Sequence, residues 1–387
     1  MIYDFDKLTD RTNTMSYKWD SRKDGEVIPM WVADMDFKTA PSIVEALEKR
    51  VKQGIFGYTK VPLQYYESVI NWFERRHDFK FQMEWMIYTS GVVPAISAII
   101  KALTIPGDKV LVQTPVYNCF FSSIRNNGCI ASENKLINKG GYFEIDFEDL
   151  EQKAADPLCK LMLLCNPHNP TGRVWCAEEL EQIGDICRRN GVIVVSDEIH
   201  CELVFPNYKY TPFGAVSEIC RQSSVTCISP SKAFNIAGLQ IANIICENAE
   251  WRQKVDRAIN INEVCDVNPF GVIATMSAYN EGKEWLDQLR AYLYENYKVL
   301  VEYFEKNMPA LKVTKSEGTY LAWVDIRPTG YGSETFVQHL LEKGKVWLNE
   351  GNMYGSAGEG FVRINFACQR ARLLEGLERI KKAISNK

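Results

Sequence analysis

A run of four aliphatic residues with no polar break, Val192-Ile193-Val194-Val195, limits what this chain can fold into more than any other stretch. It shows no alternation of polar and apolar positions, so both of its faces are buried, as in the middle of a parallel sheet. Short apolar runs recur at Lys109–Val112, Leu161–Cys165 and Val225–Ile228. Between the second and third runs lies Glu179–Arg189, whose apolar residues Leu180, Ile183, Ile186 and Cys187 keep helical spacing and whose end is marked by Gly191. Strands alternating with helices predict an α/β fold with a mostly parallel sheet flanked by helices. In such open sheets ligands bind beyond the carboxyl ends of the strands. Each run here ends on polar residues or a turn: Pro115-Val116-Tyr117, Asn166-Pro167-His168-Asn169-Pro170-Thr171-Gly172, Ser196-Asp197-Glu198-Ile199-His200 and Ser229-Pro230-Ser231-Lys232.

At 387 residues the chain exceeds what one small core fills, and two domains are expected. Residues 1–40 open polar and then carry the apolar, aromatic block Ile28–Phe37, which must pack against something; we expect the small domain. Residues 41–284 form the expected large domain. Pro41 opens a helix with Ile43, Leu47 and Val51 on one face and Gly54 as its stop, and a second helix covers Tyr65 to Arg75. Ser90-Gly91-Val92-Val93-Pro94 leads into the amphipathic Ile96, Ile99, Ile100 and Leu103. Residues 285–387 form the expected small domain: a long helix from Trp285 to Lys306, strands at Tyr320–Asp325 and Phe361–Phe366, and a basic helix over 370–387.

A formal net charge of -4 argues against nucleic-acid binding and against an anionic membrane surface. No apolar stretch reaches the length of a membrane span, and the charged N-terminus lacks a signal core. The 12 cysteines include no Cys-x-x-Cys pair and there are 4 histidines, which disfavours structural zinc. The expectation is a cytoplasmic protein with reduced thiols and no metal.

A lysine at a strand end, flanked by hydroxyls able to bond a phosphate, suggests a Schiff-base lysine for pyridoxal phosphate; an ordinary surface lysine is the alternative. Free N–H groups at the helix start after Gly91 form an anion site or simply an ordinary cap. Tyr117 is a stacking ring or a core aromatic, and Asn169 a ligand or a self-bonded turn residue. Asp197 is a partner for a pyridinium nitrogen or a helix cap. Arg363 is a two-pronged carboxylate clamp or a structural ion-pair partner. Pyridoxal phosphate needs this set together: a lysine, a carboxylate for the ring nitrogen, an aromatic neighbour, an amide, phosphate ligands and an arginine for the substrate carboxylate.

Asn169-Pro170-Thr171-Gly172, Asp197-Glu198-Ile199-His200 and Ser229-x-Ser231-Lys232 resemble the signatures of class I/II aminotransferases of fold type I, over nearly the whole chain. Met30–Phe37, Ser229–Gln240 and Phe361–Asn365 are similar to the MalY/PatB branch of cystathionine β-lyases and related C–S β-lyases. The resemblance implies a homodimer that uses pyridoxal 5'-phosphate to cleave cysteine-S-conjugates such as cystathionine to thiol, ammonia and pyruvate. It implies Lys232 as Schiff-base lysine and proton shuttle, Asp197 at the pyridinium nitrogen, Asn169 at the phenolic oxygen and Tyr117 stacked on the ring. It also implies that Gly91, Val92, Val93, Ser229 and Ser231 hold the phosphate, joined by Tyr58 from the neighbouring subunit. By the same resemblance Arg363 would clamp the substrate carboxylate with the backbone near Val32 and Ala33. Two departures from the wider superfamily fit the branch: Gln240, where many relatives carry a phosphate-pairing arginine, and His200, where many carry a tyrosine that contacts the phenolic oxygen. The rivals are an aminotransferase, which needs a keto acid acceptor, and a cofactor-binding regulatory module without turnover.

Overall fold

The computed structural model describes residues 3–22, 25–261 and 266–385. Seven strands form the main sheet: β1 (Met86–Thr89), β2 (Lys109–Thr114), β3 (Ile130–Lys135), β4 (Cys159–Cys165), β5 (Ile193–Asp197), β6 (Ser224–Ile228) and β7 (Ala242–Ile245). Their order is β1-β7-β6-β5-β4-β2-β3. The run from β6 through β3 is parallel, whereas β7 is antiparallel to both of its neighbours. The central strands are buried on both faces. Leu161, Leu163, Cys165 and Val195 pack into one cluster, and Met162, Leu164 and Val194 into the other. Each such aliphatic contributes about 1.5–3 kcal/mol by leaving water.

Helices follow the apolar spacing closely. α1 (Pro41–Gln53) begins on Pro41 and ends at Gly54, whose φ of 75° is the left-handed stop that glycine adopts without strain. Its apolar stripe fades along its length: Ile43 is buried, Leu47 half-buried and Val51 51% exposed. α2 (Leu63–His77) buries Tyr65, Val69, Trp72 and Phe73. α3 (Val92–Leu103) buries Val92, Ala95, Ile96, Ile99 and Ile100, the i, i+3, i+4, i+7, i+8 stripe of a sheet-packed helix. α4 (Asn118–Asn126) and α5 (Ala177–Arg189) cover β2 to β4. α6 (Pro269–Glu281) and α7 (Lys283–Asn307) then lead to a second, antiparallel sheet. Its strands are β8 (Lys312–Val313), β9 (Leu321–Asp325), β10 (Asn349–Glu350) and β11 (Phe361–Asn365), in the order β8-β9-β11-β10. α8 (Arg370–Ser385) closes the described chain; residues 386–387 of the expected terminal helix lie outside it.

Directly after Lys232 the chain forms a set of turns and a short 3₁₀ turn at Ala237–Leu239, with Asn235 at φ 54° and Gln240 at φ 51°. Two non-glycine residues in the left-handed region within six positions prevent a regular helix. The block Ile28–Phe37 packs as its composition demands. Ile28 and Pro29 pair in parallel with Val346 and Trp347, and Met30, Met35 and Phe37 join the cluster that also holds α7, β9, β11 and α8.

Candidate active site

Strand register brings the polar clusters to one rim. Cys165 on β4, Asp197 on β5 and Cys227 on β6 lie side by side. The turns Asn166–Asn169, Asp197–His200 and Ser229–Lys232 therefore leave three neighbouring strands at one level. β2 ends at Thr114 and places Tyr117 at the head of α4, and β1 ends at Thr89 and places Gly91 at the head of α3. From the second sheet, Arg363 in β11 reaches the same place. One cavity of about 470 Å³ is lined by Lys232, Asp197, Asn169, Tyr117, His200, Ser231, Gly91, Val92, Val93, Arg363, Val32 and Ala33.

The buried polar groups here are poorly paired by the protein itself. Lys232 Nζ donates to the Ala33 carbonyl at 2.7 Å and has no carboxylate partner among the described residues. Burial pushes its amine down to about 8; Arg363 adds to this, while Asp34 and Asp197 oppose it. Asp197 accepts from the Ile199 amide at 3.1 Å, and burial raises its carboxyl to about 7. No helix follows Asp197 for it to cap. Burial, then Lys232 and Arg363, drive the His200 imidazole down to about 3, and its Nδ1 has no partner among the described residues. Burial raises the Tyr117 phenol well above its ordinary range.

Arg363 gives its Nη1 to Asn169 Oδ1 at 3.1 Å, and its Nη2 to Asn349 Oδ1 at 2.7 Å and to the Trp31 carbonyl at 2.8 Å. Every one of those acceptors is neutral, and Nε has none. The ion-pair reading of this arginine fails, since no described carboxylate pairs with it. A buried guanidinium in this state suits an anionic ligand.

At the head of α3 the first amides have no intrahelical acceptor, and Pro94 follows Val93. A Cβ on Gly91 would meet only the Pro94 ring, Cδ at 3.4 Å and Cγ at 3.7 Å, with φ at 164° in the extended region. Protein packing therefore does not require glycine there, and a bare backbone at the cavity wall leaves room for a ligand to approach closely. Together, the amine, the buried carboxylate, the orphaned histidine nitrogen, the anion-seeking helix head and the unpaired arginine match the donor set that pyridoxal phosphate takes.

Two expected residues lie elsewhere. Ser229 does not line the cavity: its hydroxyl donates to the Ile241 carbonyl at 2.6 Å and accepts from the Ser231 amide at 3.1 Å. It shapes the turn that presents Ser231. Tyr58 is 94% exposed and outside the cavity, beside the exposed Ile55 and Phe56. Gln240 lines a larger, separate cavity of about 780 Å³ that shares Pro94 with the first and lacks the lysine.

Several lining residues escaped the sequence reading: Tyr17, Trp31, Cys119, Asn349, Met353 and Tyr354. Asn365, which donates to the Val32 and Asp34 carbonyls, did have a signal, since it sits two residues beyond Arg363 on the same face of the strand. Among the described residues the one close His/Cys/acid trio is His77, Cys201 and Glu202. There Arg76 Nε (2.8 Å), Trp72 Nε1 (2.6 Å) and His77 Nε2 (2.7 Å) already occupy the Glu202 carboxylate.

Fold and site together define the class of protein. Residues 26–380 match the family model "Aminotransferase class I and II", and the chain belongs to that family. It is 43% identical to the cystathionine beta-lyase PatB of Bacillus subtilis, over 98% of this chain and 100% of that one. Two solved structures match it along their whole length. A PLP-bound putative aminotransferase from Clostridium difficile 630 has a TM-score of 0.96 at 43% identity, covering 99% of this chain and 100% of that one. Cystalysin from Treponema denticola, which contains a pyridoxal 5'-phosphate cofactor, has a TM-score of 0.97 at 36% identity, covering 100% of both chains.

Proposed function

We propose that this chain is a pyridoxal-phosphate-dependent carbon–sulfur β-lyase of the cystathionine β-lyase type. The observation that carries the reading is one cavity lined by the Lys232 amine and the buried Arg363, neither paired with a carboxylate among the described residues, together with the buried carboxyl of Asp197. Lys232 would hold the cofactor covalently, Asp197 its ring nitrogen, and Asn169 and His200 its phenolic side. Tyr117 would lie on its ring, and the amides of Gly91–Val93 with Ser231 would hold its phosphate. When bound, the cofactor supplies the electron sink for charge that develops at the substrate Cα.

The chain's own groups do the rest. Arg363 holds the substrate α-carboxylate, assisted by the Val32 and Ala33 amides, which donate to no described group. The Lys232 amine would take the Cα proton. The Cβ–S bond breaks with its electron pair on sulfur, and the products after addition of water are thiol, ammonia and pyruvate.

We further infer a homodimer in which the partner subunit's Tyr58 completes the phosphate site. The exposed apolar run Ile55, Phe56, Tyr58 and Leu63 supports this. Residues 285–387, with their own antiparallel sheet, serve as the small domain, residues 1–40 pack on it, and 41–284 form the large one. A cytoplasmic location accords with the described cysteines, all free, and no described helix is long and apolar enough to cross a membrane.

The aminotransferase label on the family model and on one structural neighbour makes acceptor dependence the deciding test. Incubation with cystathionine alone should yield pyruvate and ammonia. Turnover only in the presence of a keto acid would overturn the lyase reading.

A further inference from the structure

The stretch Trp31–Asp36 belongs to no sheet, yet its carbonyls hold the groups that matter most in the cavity. Trp31 O accepts from Arg363 Nη2 at 2.8 Å. Ala33 O accepts from Lys232 Nζ at 2.7 Å and from the Tyr320 hydroxyl at 2.9 Å. Val32 O and Asp34 O both accept from Asn365 Nδ2, at 2.5 and 2.6 Å. This strap sets where the amine and the guanidinium rest.

Two carboxylates hold the strap from outside the cavity. Asp34 receives Arg11 through both Nη atoms, at 3.0 and 2.7 Å. Asp36 Oδ1 receives Arg11 Nη1 at 2.9 Å and Trp19 Nε1 at 2.9 Å, with Lys18 Nζ at 3.2 Å. Arg372 Nη1 lies 3.6 Å from Asp36 Oδ2 and stacks its guanidinium over Trp19. The Lys18 and Asp36 side chains are each 1% exposed. Taking such ions out of water is costly, and an apolar contact would tether a loop more cheaply. What charges add is a fixed geometry. Asn235, three residues past Lys232, grips the same stretch as well, taking the Met35 amide and giving to the Met35 and Phe37 carbonyls.

We propose that Asp34 and Asp36, with Arg11, Lys18 and Arg372, are positioning residues of the reaction: an ionic latch that sets the Trp31 and Ala33 carbonyls against Arg363 and Lys232. The proposal rests on the roles given above to Arg363 and Lys232.

The test uses holoenzyme. Asp36→Asn and Lys18→Met break the latch, Lys18→Arg preserves its charge, and Ile380→Ala damages the core with no part in the strap. Should the buried variants not fold, Asp34→Asn alters the outer, 21% exposed carboxylate and leaves the Lys18–Asp36 pair in place. Cofactor absorbance counts loaded sites. Its change on titration with L-alanine, an amino acid with no leaving group, reads substrate-like binding apart from turnover. Latch variants should stay loaded yet bind alanine roughly tenfold more weakly, with a matching rise in KM, as loss of one hydrogen-bonded charge contact implies. Lys18→Arg should recover most of that loss, and Ile380→Ala should lower Tm without it. Alanine affinity and KM within twofold of wild type in the latch variants would overturn the proposal, as would an equal loss in Ile380→Ala. If instead Lys232→Ala kept the cofactor's absorbance, the functional reading itself would fall.

Discussion

Arg173 and Arg363 are equally buried, at 3% and 4% exposure, and live in opposite surroundings. Arg173 gives Nε to Glu317 at 3.0 Å and Nη2 to both oxygens of Glu179 at 2.9 Å. Its Nη1 donates to the Phe143 carbonyl, and its guanidinium lies against Tyr142 and Trp175. Arg363 touches three neutral oxygens and the Tyr354 ring, with Nε left over. Burying a guanidinium is expensive in both cases. In the first the protein supplies the anions, and the result is structure; in the second it supplies only neutral acceptors, which is the state the proposed carboxylate-binding role requires. Burial alone does not separate the two roles, whereas the tally of partners does.

The sharpest way to break this contrast is at Lys232, which shares the unpaired state of Arg363. Lys232→Ala should remove the cofactor's protein-bound absorbance and cut turnover by at least about a thousandfold, within the range for a general acid–base group that also carries the cofactor. An active alanine variant would show that the unpaired amine marks nothing. On the other side, Glu317→Ala leaves Arg173 buried with one anion fewer. We expect a loss of about 3–5 kcal/mol in denaturant unfolding, with KM of the folded enzyme within about twofold. A stable Glu317→Ala protein with impaired substrate binding would blur the distinction.

Arg363→Ala is the intermediate case. With no protein carboxylate to orphan, its effect should fall on substrate, raising KM by roughly 10- to 150-fold, or about 1.5–3 kcal/mol. Its unfolding midpoint should shift less than that of Glu317→Ala. Unchanged affinity would assign the substrate carboxylate to another cation.

The contrast also explains what could be read from the chain before folding. Strand-end clusters were legible because continuous aliphatic runs such as Val192–Val195 force a buried strand, and everything polar after them must emerge at its end. Arg363 was legible as a clamp only through its resemblance; its lack of an ion pair is a three-dimensional fact. Ser229 and Ser231 look alike in sequence, and only the turn geometry turns one hydroxyl inward to Ile241 and leaves the other on the cavity. The antiparallel β7 and the left-handed Asn235 and Gln240 leave no periodic trace. Arg11 and Lys18 looked like any polar opening, because their carboxylate partners Asp34 and Asp36 lie 16 to 25 residues on, and Arg372, which approaches Asp36 too, comes from the far end of the chain.

The smallest predicted effect tests the same contrast on two histidines. His168 bonds Thr171 Oγ1 at 2.8 Å and the Gln113 carbonyl at 3.2 Å, while His200 has an unpartnered Nδ1. Burial drives both from the ordinary 6.5 down to about 3. Between pH 6.5 and 3 the unfolded chain binds a proton at each site that the folded chain refuses. The stabilising contribution is therefore full above pH 6.5 and is lost as pH falls, at up to about 1.4 kcal/mol per pH unit for each histidine. Asp197 and Glu198, raised by burial to about 7, run the other way: the folded chain holds their protons first, so they favour folding on the acid side of neutrality. Their pull makes the net slope shallower than the histidines alone would set. His168→Gln, which keeps a donor and an acceptor, should flatten the fall in unfolding free energy between pH 6 and 5 by about 1 kcal/mol. The same change at His200 should flatten it equally while also shifting the cofactor's absorbance, because only that ring faces the cavity. Equal spectral shifts in both variants would show that the satisfied histidine reaches the site as directly as the unsatisfied one.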